Sequence, residues 1–163
     1  MSISLDKVDW AILAALERDS RQSFVTLAEA IGLSKTPCWN RVRTFEKQGF
    51  ITGYRAVLNP EALGIGLTAY VQVSVAFQKR DAFEVAALSN PIIIACHTTA
   101  GDADYLLHIV TNDVAGLDDL LREKLSQLPG VTRLLTILSL RTIKTGGLLV
   151  EAARQNESRR LKR

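Results

Sequence analysis

The sequence predicts an α+β protein with a helical N-terminal half and a β-rich C-terminal half. Three observations predict this division. Up to residue 49, apolar residues recur at intervals of three and four, which is typical of amphipathic helices. After residue 66, Val, Ile, Tyr and Thr cluster in short runs, which favours strands. Between these halves, residues 60–66 contain one proline and two glycines, which indicates a connection without regular structure.

Three helices are predicted in the N-terminal half. Apolar residues between Leu5 and Leu16 fall on one face of the first. The pattern Thr26-x-x-Glu29 is typical of a capping box at the start of a short second helix, and Gly32 ends that helix. Two short helices joined by a glycine-containing turn, after a longer first helix, form a helix-turn-helix pattern.

The third helix is predicted to follow Ser34 as its N-cap and to end at Gly49. Its inward residues are spaced by four and three: Cys38, Val42 and Phe45. Its outward face is polar and basic, as in recognition helices, which contact base edges in the DNA major groove and hold phosphates with Arg and Lys. The predicted DNA-binding residues are Ser34, Lys35, Thr36, Trp39, Asn40, Arg43 and Lys47.

Within this set, Asn40 matches the hydrogen-bonding edge of adenine and Arg43 that of guanine, whereas Lys47 is expected to hold phosphate. Trp39 has two interpretations, packing on the sugar-phosphate backbone or covering the domain core. The alternative for the whole face is a solvated helix surface with no partner.

The segment Phe50–Leu58 predicts a small hairpin or strand, which would form the wing of a winged helix-turn-helix. We therefore place a winged helix-turn-helix DNA-binding domain at residues 1–58 and a hinge at residues 59–66.

The C-terminal half predicts the order β-α-β-β-α-β, which is the ferredoxin-like split βαβ arrangement. Two helices would cover one sheet face, and the other face, apolar at alternate positions, would be left bare and become an interface between subunits. We expect this domain at residues 67–145. The predicted elements are strands at Leu67–Phe77, Ile92–Thr99, Tyr105–Val110 and Val131–Ile143, with helices at Asp81–Leu88 and Val114–Leu128.

Charge is concentrated at the C-terminus. The net charge of the chain is +3, whereas residues 143–163 hold six Lys and Arg against two acidic residues. Residues 146–163 therefore form a basic C-terminal tail, ending in the cluster Arg159–Arg163, which favours either phosphate contacts or a solvated tail. No secretory signal or membrane-spanning run is predicted, so we expect a cytoplasmic protein without membrane partners.

The predicted helix-turn-helix, hinge and split βαβ domain follow one another in the order found in the Lrp/AsnC (feast/famine) family of regulators, which the chain resembles. Four stretches carry the resemblance: Leu5-Asp6-x-x-Asp9-x-x-Ile12-Leu13; the run from Gly32-Leu33-Ser34 to Gly49-Phe50-Ile51; Gly101-Asp102-x-Asp104-Tyr105-Leu106-Leu107; and Leu128-Pro129-Gly130-Val131. The resemblance implies a ferredoxin-like regulatory domain of the RAM type that dimerises. It also implies dimers that assemble further, often to octamers, and an amino acid bound between dimers near the Gly-Asp-x-Asp loop. Lys35, Trp39, Ala103 and His108 depart from the family pattern, which bears on the operator and on the effector.

The loop from Gly101 to Tyr105 is the predicted effector site. Carboxylates and unpaired backbone N–H groups in a tight turn suit the ammonium and carboxylate groups of a free amino acid. The alternative is a plain β-turn, for which Gly and Asp are the expected residues. With the resemblance, the predicted effector-binding residues are Thr98, Gly101, Asp102, Asp104, Tyr105 and Thr136.

Metal binding and catalysis have little support. His97 and His108 flank the loop on neighbouring strands, but a strand histidine is more often structural, and no motif adds a nucleophile. Cys38 and Cys96 are far apart and in no C-x-x-C pair, which favours two core residues rather than a zinc site. We expect no cofactor.

The predicted function is sequence-specific regulation of transcription by a homo-oligomer on double-stranded DNA, modulated by a small effector, most simply an amino acid. The alternative is an architectural DNA-binding protein of the same fold that responds to no ligand. A third interpretation, an enzyme with a DNA-binding domain, lacks a catalytic motif.

Overall fold

A computed structural model describes residues 5–160 of the chain, and the side chains of residues 5–156. The described chain divides into two compact units. The first comprises the residues up to Ala56 together with those from Lys144 onward, and the second is Val57–Ile143. No helix in the described part is both long enough and apolar enough to span a membrane.

Three helices build most of the first unit: α1 (Lys7–Arg18), α2 (Phe24–Ala30) and α3 (Lys35–Lys47). Each large side chain removed from water contributes about 1.5–3 kcal/mol to folding. Gly32, with φ of 71°, forms the turn between α2 and α3, a left-handed conformation that favours glycine. The buried core consists of Ile12, Leu13, Leu27, Ala28, Cys38, Val42 and Phe45.

The start of α2 differs from the prediction. The N-cap is Ser23, whose hydroxyl accepts a hydrogen bond from the Thr26 N–H at 3.1 Å. Thr26 therefore lies inside the first turn, and the predicted capping box at Thr26 is wrong. The two hydroxyl groups are 2.9 Å apart and bond to each other, so the earlier cap satisfies both side chains.

The predicted strand or hairpin at Phe50–Leu58 does not form in the described chain. Residues 51–59 have no regular secondary structure, and Val57 and Leu58 are 99% and 65% exposed. Gly53 does not adopt the positive φ that two-residue hairpin turns require. A strand without a paired neighbour leaves its backbone groups to water.

The second unit contains one antiparallel sheet in the order β2-β3-β1-β4, the order of the predicted ferredoxin-like fold. Its elements are β1 (Leu67–Val75), α4 (Arg80–Ser89), β2 (Ile93–Thr98), β3 (Tyr105–Thr111), α5 (Val114–Asp119) and β4 (Val131–Ser139). The helix predicted through residue 128 is not continuously α-helical. After α5 it continues as a π-helical turn at Leu120–Lys124 and a 3₁₀ turn at Leu125–Gln127.

Both helices pack on one face of the sheet, because alternate residues of the strands point to that side. The core there includes Val71, Val73, Phe83, Leu107 and Leu117. On the opposite face, Tyr70, Leu135 and Ile137 are 38%, 46% and 47% exposed.

The last helix, α6 (Leu149–Arg160), belongs to the first unit although it follows the second in sequence. Val150 packs against the core formed by α1, α2 and α3. Much of the predicted basic tail is therefore a twelve-residue helix that belongs to the N-terminal unit. The end of the predicted Arg159–Arg163 cluster, residues 161–163, lies outside the described residues.

Candidate DNA-binding face and effector loop

The polar face of α3 is exposed along its whole length. Cys38, Val42 and Phe45 turn inward, so the residues between them turn outward. Ser34 occupies the N-cap position, but its hydroxyl forms no capping hydrogen bond. All seven predicted DNA-binding residues are exposed: Ser34, Lys35, Thr36, Trp39, Asn40, Arg43 and Lys47.

Trp39 and Arg43 form a pair on this face. The ring of Trp39 is 43% exposed, and the guanidinium carbon of Arg43 lies 5.3 Å from the ring centroid. A cation above an indole ring at this distance is attracted by the ring quadrupole. Trp39 therefore contacts Arg43 on the exposed face rather than filling the core.

Arg41 fixes α3 to the start of α1. Its guanidinium donates to Asp6 at 2.7 Å and also to Asp9. The same two aspartates form the capping box of α1, since each accepts the backbone N–H of the other. The Asp9 backbone N–H, followed by the Arg41 side chain, lowers the pKa of Asp6 below its usual range. The sequence patterns did not predict the ion pairs of Arg41 with Asp6 and Asp9, although both aspartates belong to the family motif.

The N-terminus of α6 is held by the C-terminal turn of α1. The Glu17 carboxylate accepts hydrogen bonds from the backbone N–H groups of Leu149 and Val150, at 2.7 and 3.0 Å. Arg18 pairs with Glu151 at 2.9 Å. These contacts join residues more than 130 positions apart, which is why local sequence patterns could not predict them.

The predicted effector loop lies between β2 and β3 and is closed at its base. The Thr99 N–H donates to the Asp104 carbonyl at 2.9 Å, and the Thr99 hydroxyl donates to the Ala103 carbonyl at 2.6 Å. Gly101 and Asp102 form the exposed tip.

Asp104 ties this loop to the rest of the second unit. Its backbone N–H donates to the Val73 carbonyl at 3.0 Å, and its carboxylate accepts the Val75 N–H at 2.9 Å. The second carboxylate oxygen accepts from Arg80 at the start of α4. The Val75 hydrogen bond and the Arg80 charge hold the pKa of Asp104 below its usual range, although partial burial opposes them.

A cavity of about 390 Å³ lies beside the base of the loop, between α4 and β2. Its lining includes Thr98, His97, Cys96 and Glu84. Tyr105 also lines it but is only 2% exposed, and its hydroxyl donates to Glu84 at 2.8 Å. Burial, together with that carboxylate, raises the pKa of Tyr105 to about 12. A larger cavity of about 500 Å³ lies in the first unit, lined mainly by apolar groups. The smaller cavity adjoins the predicted effector loop and contains the hydroxyl of Thr98 and the carboxylate of Glu84.

The structure brings five of the six predicted effector residues to one end of the sheet: Thr98, Gly101, Asp102, Asp104 and Tyr105. Thr136 is apart from them. It lies on β4 and pairs with Val71 of β1, so β1 separates it from β3 by about 10 Å, two strand spacings. Sequence reasoning missed Arg80 and Glu84, whose roles depend on the packing of α4 against the sheet.

The two histidines lie on neighbouring strands, His97 on β2 and His108 on β3. His108 is on the face of the sheet that the helices leave bare, where it stacks on Tyr70 at 5.0 Å, and burial lowers its pKa. Among the described residues, no three His, Cys, Asp or Glu side chains converge as metal ligands. Cys38 is fully buried, as predicted, and burial raises its pKa. Cys96 is only half-buried and borders the cavity; burial, and then Glu84, raises its pKa.

Family models match both parts of the chain. A winged helix-turn-helix DNA-binding model matches residues 5–52, and the Lrp/AsnC ligand-binding domain model matches residues 68–149. A recognition helix with an exposed basic face, joined to a ligand-binding domain, defines a DNA-binding transcription regulator. The chain belongs to the Lrp/AsnC family of such regulators, as its sequence motifs predicted.

Curated relatives and solved structures agree with this assignment. The leucine-responsive regulatory protein of Escherichia coli K12 is 40% identical over 149 residues, which are 90% of this chain and 91% of that protein. The proline dehydrogenase transcriptional activator of Rhizobium radiobacter is 37% identical over 147 residues, 88% of this chain and 94% of that protein. A Neisseria meningitidis transcriptional regulator in complex with L-methionine superposes with a TM-score of 0.84 at 31% identity, over 87% of this chain and 94% of that chain. A Mycobacterium tuberculosis feast or famine regulatory protein complexed with L-methionine superposes with a TM-score of 0.80 at 29% identity. The match covers 87% of this chain and 96% of that chain.

Proposed function

We propose that this protein regulates transcription by binding specific double-stranded DNA through α3, with an affinity or assembly state that a free amino acid changes. The observation that carries the DNA half is the exposed face of α3, where Asn40, Arg43 and Lys47 stand opposite a buried apolar face. Such a helix, held rigidly by Arg41, can enter a major groove without rearrangement. A cytoplasmic location is part of this proposal, because the protein must reach DNA.

The proposal that the protein binds an effector rests on the loop between β2 and β3 and on the adjoining cavity. Thr98, Gly101 and Asp102 present a hydroxyl, exposed backbone and a carboxylate at one end of the sheet. Two similar regulators were solved with L-methionine, which supports an amino acid as the ligand class. Thr136 is proposed as a contact from a second subunit, since the family resemblance implies binding between dimers.

Assembly is proposed to use the bare sheet face in a homodimer, with further association to an octamer. A sheet face with exposed Tyr70, Leu135 and Ile137 is unfavourable in water and becomes favourable when a second copy covers it. Two recognition helices related by a two-fold axis would bind half-sites about one helical turn apart.

DNA binding is tested by fluorescence anisotropy on selected operator fragments across a range of salt concentrations. Arg43→Gln is expected to weaken specific binding by about 1–3 kcal/mol and to relax preference at one base position. Lys47→Gln should weaken binding to all DNA sequences equally and should reduce the slope of log affinity against log salt concentration by about 1. Arg122→Gln, on the second unit, is the matched control and should bind as wild type.

The effector is sought by thermal denaturation with each common amino acid, followed by DNA titration with any that raises the melting temperature. One amino acid should stabilise the protein and shift its DNA affinity. Strong DNA binding with a small specificity ratio and no response to any amino acid would instead favour the architectural alternative.

A further inference from the structure

Arg80 links α4 to the effector loop, and it belongs to no motif identified in the sequence. It is the first residue of α4 and follows the 3₁₀ turn Phe77–Lys79. Its guanidinium group lies 5.1 Å from the centroid of the Phe77 ring, which holds the side chain against the end of β1. From that position one terminal nitrogen donates to the carboxylate of Asp104.

The remaining bonds of Asp104 make the pair an anchor for the loop. One carboxylate oxygen accepts from Val75 and the other from Arg80, so each oxygen already has a partner within the fold. The Asp104 main chain also bonds to Val73 and Thr99. Among the described hydrogen bonds, two side-chain links join this loop to α4: the bond of Tyr105 to Glu84 at the end of the loop, and the ion pair of Asp104 with Arg80. The ion pair is the link nearer to the exposed tip.

We propose that Arg80 is a positioning residue for effector binding, and that Asp104 acts through Arg80 and Val75 rather than by contacting the ligand. The ligand's polar groups would then be met by the exposed tip, Gly101 and Asp102, and by Thr98 in the adjoining cavity. This inference rests on the proposed function. It changes the assignment of Asp104 from a ligand contact to a structural support of the site.

The solvent exposure of these side chains and the burial of the Arg80 Nε atom support this assignment. The Asp104 side chain is 26% exposed and that of Arg80 is 42% exposed, whereas Asp102 is exposed at the tip of the loop. The Nε atom of Arg80 is buried without a hydrogen-bond partner in the described chain. A buried donor left unpaired is costly, so it is tolerated where the rest of the side chain has a compensating role. Here that role is the bond to Asp104 and the contact with Phe77.

A double-mutant cycle measures whether Asp104 acts through Arg80. The amino acid found by thermal denaturation is titrated into wild type, Arg80→Gln, Asp104→Asn and the double variant by calorimetry. Each single substitution should raise Kd by about tenfold, the loss expected when one charged hydrogen bond is removed. In the Arg80→Gln background, Asp104→Asn should add less than about twofold, because coupled residues are not additive. Arg80→Lys should recover part of the affinity, since a lysine can still pair with the carboxylate.

Backbone amide hydrogen exchange gives a second readout that needs no ligand. In Arg80→Gln, the amides of Val75 and Thr99 should exchange faster than in wild type, because their acceptors belong to Asp104. Arg122→Gln is the matched control. It removes an exposed ion pair with Asp118 on the same unit and should leave both amides unchanged.

The outcomes separate the inference from the function on which it rests. If the two substitutions raise Kd additively, Asp104 contacts the ligand directly and the inference is wrong. Unchanged exchange in Arg80→Gln would also overturn it. If the wild-type protein binds no amino acid while the amides respond as expected, the proposed function fails but the anchoring role of Arg80 stands.

Discussion

The Asp104 carboxylate joins the end of β1 to the start of α4, because Val75 and Arg80 both donate to it. These bonds favour the charged form and lower its pKa in the folded protein. The ordinary pKa of an aspartate, which applies in the unfolded chain, is about 3.9. Asp104 therefore stabilises the fold above that pH, and the contribution is lost as the pH falls through the lower pKa of the folded state.

The pH dependence of Asp104 can be measured directly. Between pH 4 and pH 2.5, the free energy of unfolding by urea should fall more steeply for wild type than for Asp104→Asn. The reason is that only the wild type must protonate a hydrogen-bonded carboxylate at this site. Asp102→Asn, at the exposed tip of the same loop, is the control and should follow the wild-type profile. Parallel curves for wild type and Asp104→Asn would show that these bonds do not stabilise the folded state.

Gly130 is required by both conformation and space. Its φ is 75°, and a Cβ atom added there would lie 2.3 Å from the Cβ of Lys79. Gly130→Ala should therefore lower the free energy of unfolding by at least about 1–2 kcal/mol, the cost of a left-handed residue before the steric overlap is added. Gly53→Ala has an ordinary φ and open space around the new Cβ, so it should be close to neutral. Equal effects of the two substitutions, measured by thermal and urea unfolding, would contradict this explanation.

Helix α6 shows how an element can belong to a domain from which it is distant in sequence. It covers part of the core of α1–α3 through Val150, and α1 supplies the acceptor for its first N–H groups through Glu17. The guanidinium carbon of Arg154 lies 5.8 Å from the ring centroid of Trp10, near the opposite end of α1. The two helices therefore run antiparallel.

Removal of the Glu17 charge should weaken this packing. Glu17→Gln is expected to destabilise the first unit by about 1 kcal/mol, as the loss of a good N-terminal cap does. Limited proteolysis should then release residues after Lys144 faster than in wild type. Glu29→Gln changes an exposed glutamate of α2 and serves as the control. Identical cleavage rates for Glu17→Gln and wild type would show that the Glu17 bonds do not hold α6.

The whole protein is expected to self-associate because, among the described residues of the second unit, no element covers one face of the sheet. Ile137→Glu places a charge on that face, in the edge strand β4, and burying an unpaired charge in an interface is strongly unfavourable. Sedimentation velocity should show smaller species for this variant than for wild type. Val85→Glu, on the exposed side of α4, should sediment as wild type. An unchanged oligomer in Ile137→Glu would place the interface elsewhere.

Most of the fold could be predicted from the sequence because its evidence is local. Alternation of apolar residues locates the strands, and the spacing of Cys38, Val42 and Phe45 identifies the buried side of α3. The segment Phe50–Leu58 has the composition of a strand, but a strand needs a neighbour to pair with, and none of the described residues pairs with it. The helix after Val114 was predicted as continuous, whereas the structure contains a π-helical turn that periodicity alone does not reveal.

The sequence by itself determined the order of elements, the outward face of α3 and the position of the Gly101–Asp104 loop. These depend on residues a few positions apart, which interact in any chain with the same pattern. Tertiary structure decided what Asp104 bonds to, that Arg80 supports the loop, and that α6 packs on α1. Those contacts join residues 24 to 133 positions apart. Their partners are selected by the packing of whole elements, and that packing lies outside any local pattern.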